Sequence, residues 1–183
     1  MKKIITLLTM MSIFTLVSCV SGAQESEKPE TSAPAVTVEK TEAQLEYERA
    51  IENLNGQKIS METYEMDKKI ILQKIAELNT IMKDKNYKSW LNYIEQSSIN
   101  YWSMKSNLST VSKQLPVKGL NLKTLEDYFK SVFIPSRMGR RIDEIRYLSS
   151  TSIKAVQVRN DETIVYYYFK KIDGEWLVEL PRL

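Results

Sequence analysis

The chain has 183 residues, 43% of them hydrophobic and 27% charged, with 26 basic side chains against 23 acidic ones, one cysteine and no histidine. Without histidine there is no Ser-His-Asp or Cys-His catalytic apparatus and no imidazole metal site, and one cysteine makes neither an intramolecular disulfide nor a thiolate zinc site. The length fits one globular domain with extra segments.

Met1-Lys2-Lys3 is followed by an uncharged run from Ile4 to Val17, then Ser18 and Cys19. A positive start before an apolar stretch of this length is the plan of a secretory signal, and it falls short of the roughly 20 apolar residues of a spanning helix. Leu16-Val17-Ser18-Cys19 resembles the lipobox of bacterial lipoproteins. The resemblance implies a diacylglycerol on the Cys19 sulfur, cleavage after Ser18 and fatty acylation of the new amine. Two or three acyl chains hold a protein on a membrane durably. An ordinary signal peptide cut near Ala23, or an uncleaved anchor, is the alternative, and either leaves the lone cysteine without a role. Val20 and Ser21 follow the cysteine, so the aspartate that commonly marks inner-membrane retention is absent. The resemblance therefore implies a lipid-anchored envelope protein, at the outer membrane where the host has one.

From Val20 to Lys40 the chain is rich in Ser, Glu, Thr, Ala and Pro, with no aromatic residue or leucine. Such a composition buries too little apolar surface to offset the ordering of its backbone, and residues 19–40 are expected to be a lipidated flexible tether after a signal peptide at 1–18. Charge divides at the same boundary. Val20 to Glu48 holds seven glutamates against Lys28 and Lys40, whereas Arg49 to Leu183 holds 22 basic and 16 acidic residues. A mildly basic domain under an acidic tether suits anionic headgroups or cell-wall polyanions, or merely a soluble surface; no dense basic run points to nucleic acid.

Thr41-Glu42-Ala43-Gln44 has capping-box spacing and opens a short helix that ends at Asn55-Gly56. Residues 41–66 form an N-terminal segment, with Lys58 to Met66 either extended or an early turn of the second helix. The domain proper is expected over 67–183. Asp67 is expected to cap that second helix, whose stripe is Ile71, Ile75, Leu78 and Met82. A third helix carries Tyr87, Trp90, Leu91, Ile94, Ser98, Tyr101 and Trp102 at 3-4 spacing. The segment through Pro116 and Gly119 reads as a loop with a possible short strand. Asn121 opens a fourth helix with Leu122, Leu125, Phe129, Val132 and Phe133 inward, and Pro135 ends it.

After a loop over 136–141 the period changes to 2. Strands are expected at Glu144–Ser149, Ser152–Arg159, Glu162–Lys171 and Glu175–Leu180, with turns at Asn160-Asp161 and Asp173-Gly174. Pairing Lys171 with Trp176 and Val158 with Thr163 puts Val156, Val158, Val165, Tyr167, Phe169, Trp176, Val178 and Leu180 on one face. The other collects Ile153, Ala155, Ile164, Tyr166, Tyr168 and Leu177. Both faces then want cover, the second from residues 41–66 or from a second copy of the chain.

The fold class is thus α+β, N-terminal helices on a C-terminal antiparallel meander. With Asn86-Tyr87-Lys88-Ser89-Trp90-Leu91 in a helix and Phe169-Lys170-Lys171-Ile172-Asp173-Gly174-Glu175-Trp176 closing the meander, residues 67–181 resemble the nuclear transport factor 2-like superfamily. The resemblance implies a cone-shaped pocket between helices and sheet, and often a dimer through the sheet. It implies no activity, because that fold hosts isomerases, dehydratases, hydrolases and non-catalytic binders.

Adjacent acidic pairs at Glu126-Asp127, Asp143-Glu144 and Asp161-Glu162 point to opposite sides of their elements and are poor catalytic dyads. Arg137, Arg140 and Arg141, around Gly139, either grip a carboxylate or phosphate bidentately or serve a connector by pairing with Asp143, Glu144 and Glu126. Tyr101, Trp102, Tyr166 and Tyr168 either line a pocket for a small apolar ligand or fill the core. No catalytic residue, metal site or cofactor is expected. The reading is a lipid-anchored binding domain for a ligand or partner; a pocket enzyme using an acid and a tyrosine, or a sheet-mediated structural dimer, are the alternatives.

Overall fold

In the computed structural model the described residues are 39–115, 119–160 and 162–182, so the signal, Cys19 and the tether as far as residue 38 lie outside them. Residues from Glu39 onward form one compact unit. Seven α-helices and a four-stranded antiparallel sheet of order β1-β2-β3-β4 make up its described part, an α+β arrangement. No helix among the described residues is long and apolar enough to cross a membrane.

Helix α1 (Glu42–Ile51) starts at the capping box of Thr41 and Gln44, with both reciprocal bonds present. Helix α2 (Met61–Lys83) begins earlier than the sequence pattern indicates, with Ser60 as its cap, so the division at residue 67 falls inside a helix. Its 23 residues span about 35 Å. Tyr64, Asp67, Ile71, Ile75, Leu78 and Met82 form its buried stripe. Asp67 is the one charged member, and it caps nothing.

Its carboxylate lies in the core, 3% exposed. Oδ2 accepts the Tyr147 hydroxyl at 2.8 Å, while Oδ1 accepts the Trp176 indole N–H at 2.8 Å and the Lys171 ammonium at 3.2 Å. A buried carboxylate without donors would cost several kcal/mol. These three bind α2 to β1 (Glu144–Ser149), β3 (Glu162–Ile172) and β4 (Glu175–Glu179).

The expected third helix is two. Helix α3 (Tyr87–Leu91) ends before Tyr93, whose carbonyl accepts from Val178 N–H at 2.7 Å; Glu95 N–H returns a bond to the Val178 carbonyl at 2.9 Å. This parallel bridge covers part of the β4 edge, a common way to blunt an exposed edge. Helix α4 (Gln96–Trp102) then starts on Glu95, which accepts the Ser97 and Ser98 amides and both serine hydroxyls. Burial pushes the Glu95 carboxyl up, but those four donors together hold it below its ordinary value. In place of the expected loop or strand, α5 (Lys105–Gln114) forms, because Leu108 and Val111 bury on one side of it.

Helix α6 (Leu125–Tyr128) starts from the capping box of Thr124 and Asp127 rather than at Asn121. It runs through a π-helical turn (Phe129–Phe133) into α7 (Ile134–Arg137), past Pro135. Proline has no N–H and its ring crowds the carbonyl four residues back. The wider turn, in which Ile134 N–H reaches the Phe129 carbonyl, absorbs that misfit and carries the helix one turn beyond the expected stop.

The strand pairing follows the turns: Lys171 faces Trp176 and Val158 faces Thr163. A bulge changes the faces. β2 (Ser152–Arg159) pairs Ala155 with Tyr167 but Val156 with Val165, leaving Tyr166 as the extra residue of β3. Ile153 and Ala155 therefore move to the face that holds Tyr167, Phe169, Trp176 and Val178, and the helices bury them with Ile145 and Tyr147. This corrects the expectation of two apolar faces. The outer face is mixed, with Arg146, Lys154, Tyr168, Lys170, Leu177 and Glu179 all half-buried. Helix α1 packs by β1, where Arg49 bonds Glu144 at 2.9 Å.

Asp67→Ala strands the Tyr147, Trp176 and Lys171 donors together and should cost about 3 kcal/mol in urea unfolding, whereas Tyr147→Phe should cost about 1 kcal/mol. A loss below about 0.5 kcal/mol for Asp67→Ala would show that the carboxylate is not the tie between helix and sheet.

Candidate anion-binding site

The seven residues singled out from the sequence do not meet at one place. Trp102 is buried, stacked on Tyr128 at 4.9 Å between ring centres and edge-on to Tyr101. Tyr101 carries the Arg182 guanidinium 5.0 Å from its ring centre. Tyr168 lies on the outer sheet face, beside an open depression of about 370 Å³ that it shares with Leu148, Glu179, Leu180, Pro181 and Arg182. Arg141 is exposed and pairs with Asp143 at 2.7 Å, as a connector residue would.

Arg137, Arg140 and Tyr166 do come together. The π turn and α7 carry Arg137 to the bulge of β3, where its Nε donates to the Tyr166 carbonyl at 2.8 Å and Nη1 to Ser136 Oγ at 2.8 Å. The guanidinium carbon lies over the Phe133 ring, 4.4 Å from its centre, with the Tyr167 ring centre at 5.8 Å. Arginine over an aromatic face is a favourable cation–π arrangement that leaves the hydrogen-bonding edge free. Arg140 stands over Tyr166 at 5.9 Å.

No carboxylate among the described residues lies within 4 Å of either guanidinium, although Arg141 and Arg146 close by have theirs. A guanidinium has five N–H donors. Two of those on Arg137 are used, and three on Nη1 and Nη2 have no acceptor among the described residues. Burial holds the Arg137 pKa below its ordinary value, against a smaller raising influence from Tyr128 and Tyr167. The side chain is half-buried, so its charge is only partly hydrated, and no counter-charge among the described residues makes up the difference. An external anion with two oxygens would do so through the free fork.

Around this cation lies an aromatic row: Trp90 is 4.8 Å from Phe129 and 5.1 Å from Phe133, and Phe133 is 6.2 Å from Tyr167. The hydroxyl of Tyr167 and the indole nitrogens of Trp90 and Trp102 are buried with no hydrogen-bond partner. Burial raises the pKa of Tyr128, and burial pushes Tyr167 up to about 12, in both cases against the lowering field of Arg137. Kept protonated by burial, the Tyr167 hydroxyl can donate, as the two indole N–H groups can.

The acidic residues are spent elsewhere. Asp127 caps α6, Asp143 accepts Val158 N–H at 2.9 Å, Glu144 pairs with Arg49 and Arg146, and Glu126 pairs with Lys130. The buried acid–tyrosine pair, Asp67 and Tyr147, has both carboxylate oxygens filled by donors. Sequence spacing could not disclose this pair, since 80 residues separate its members. No group of three potential metal ligands occurs among the described residues.

The chain is similar to a protein of Treponema pallidum (strain Nichols), 33% identical over 119 residues, and spans about two thirds of its own length and 64% of the relative's. The relative is named an uncharacterized lipoprotein. That name agrees with the lipobox at Cys19 and with a membrane-anchored envelope protein, and it states no ligand or activity. No family model and no solved structure matches, and neither comparison supports the nuclear transport factor 2-like resemblance.

Tyr167 gives the site a pH signature. Its folded pKa exceeds the value of about 10 for an exposed tyrosine, so its share of stability is complete below about pH 10 and is lost as pH rises towards about 12. Unfolding free energy measured across that range should fall, and Tyr167→Phe should make the fall shallower. An unchanged slope would show that Tyr167 ionises freely in the folded chain.

Proposed function

We propose that the chain is a lipid-anchored envelope protein whose folded unit binds a ligand or partner through a carboxylate or phosphate, without transforming it. The observation that carries this reading is the Arg137 guanidinium: lying over the Phe133 ring, tied to β3 through Tyr166, and left with three donors and no carboxylate among the described residues. A residue serving only as a connector would spend those donors on a neighbouring acid, as Arg141 does on Asp143. Arg140 supplies a second positive charge at the rim, and Gly139, at φ 71°, turns the backbone between them.

Binding is favoured over catalysis because the site offers donors and a cation but no free carboxylate to move a proton. Lipid on Cys19 would hold the unit at the membrane, and the acidic stretch after it would set its stand-off.

Two experiments test this reading. The chain released from its own envelope fraction, observed by native mass spectrometry, should carry an added mass, from a small anion or a bound partner, that Arg137→Gln abolishes; a bare mass for the unaltered chain from that source would count against it. For the anchor, Cys19→Ala should leave an unprocessed precursor that takes up no labelled fatty acid, and continued labelling would refute the lipobox assignment.

A further inference from the structure

The sheet is uneven. β3 has eleven residues and β4 only five, and their pairing begins at Tyr168 opposite Glu179. From Glu162 to Tyr167, β3 pairs with β2 alone, so its other edge has no strand partner among the described residues. Glu162, Thr163 and Ile164 are exposed there, and Val165 and Tyr166 are half-buried.

Natural sheet edges are commonly blunted by lysine, proline, a covering segment or a bulge. The β4 edge has such cover from the Tyr93–Glu95 bridge, and β1 has α1 beside it. Along Thr163-Ile164-Val165 there is neither lysine nor proline. These are β-branched residues, the types that pair best in a strand. The bulge at Tyr166 ends the open stretch, and there the edge carbonyl is held by Arg137, whose remaining donors are unspent.

Among the described residues, an unpaired backbone ladder therefore runs directly into a guanidinium with no carboxylate partner. The geometry points to an extended peptide segment of a partner protein as the ligand: it adds a strand to β3 along Glu162–Val165 and places a carboxylate, from an acidic side chain or a C-terminus, on Arg137 with Arg140 alongside. The inference rests on the anion-binding reading above and names the molecule that carries the anion. Charge complementarity favours it, since Arg137 and Arg140 stand at one end of the open stretch while Glu162 is the only acid among its described residues. Strand addition supplies affinity through main-chain bonds, with alternate side chains giving selectivity. Four residues of ladder cover roughly 13 Å, so a peptide of five or six residues is long enough.

The test uses the full chain in detergent micelles and a fluorescent hexapeptide of alternating valine and threonine that ends in aspartate and glutamate. Two further versions of the peptide carry backbone N-methyl groups on one or the other set of alternating residues, which removes ladder donors without altering the protein. Anisotropy titrations should show binding that one methylation pattern weakens about tenfold or more while the other leaves it near the parent value, and Arg137→Gln should weaken the parent peptide by a similar factor. Equal affinity for all three peptides, or no binding by any of them, overturns the strand-addition inference. Inorganic phosphate, followed through the Arg137 Nε–H resonance in the same micelles, separates the two claims. Saturable perturbation by phosphate without peptide binding sinks the inference alone; failure of both probes sinks the anion reading as well.

Discussion

The fold hangs on a carboxylate in an otherwise apolar stripe. Asp67 sits where the buried face of α2 would hold an isoleucine or leucine, and it gathers the Tyr147 hydroxyl, the Trp176 indole and the Lys171 ammonium from three strands. Such an arrangement adds little net stability, because desolvation offsets most of the attraction. Its effect is selective. An apolar stripe could slide along the sheet with modest loss, but a carboxylate with three donors has one position where all are satisfied. That position sets α2 against the sheet, and the later helices pack from there. The bridge from Tyr93 and Glu95 to Val178 fixes the next two, and the π turn brings Arg137 to the β3 bulge.

Two charged residues, the buried Asp67 and the half-buried Arg137, contrast with each other. Asp67 has all its neighbours supplied by the chain, whereas Arg137 lies over one ring, makes two bonds and has three donors without an acceptor among the described residues. The same chemistry that makes an unmet buried charge expensive separates a structural ion from one kept for a ligand. Both the bulge at Tyr166 and the π turn at Phe129–Phe133 are departures from regular geometry, and both bear on Arg137. Irregular elements of these kinds recur at functional sites, where they re-aim side chains.

Local chemistry was legible in the sequence where it acts over a few residues. The Thr41 capping box, the α2 stripe and the two hairpin turns with their registers all follow from neighbouring side chains. What escaped depends on distant partners. The 87–102 pattern reads as one helix, and only Val178 on β4 shows why it breaks at Tyr93. Pro135 signals a stop that the π turn overrides, and the bulge that moves Ile153 and Ala155 to the buried face has no marker in an alternating run of β-branched and aromatic residues. Arg137 stood out from its loop by composition, yet its separation from Arg141, one cation vacant and the other paired, required the tertiary contacts.

The central claim is that Arg137 keeps its donors for an anion from outside the chain. Nuclear magnetic resonance of the arginine side chains reports on it directly, since Nη rotation slows when the fork is held by two oxygens. On adding inorganic phosphate, the Arg137 Nη protons should sharpen into separate, saturable signals while those of the paired Arg141 stay averaged. If Arg137 behaves as Arg141 does, its guanidinium is structural and the proposed site does not exist.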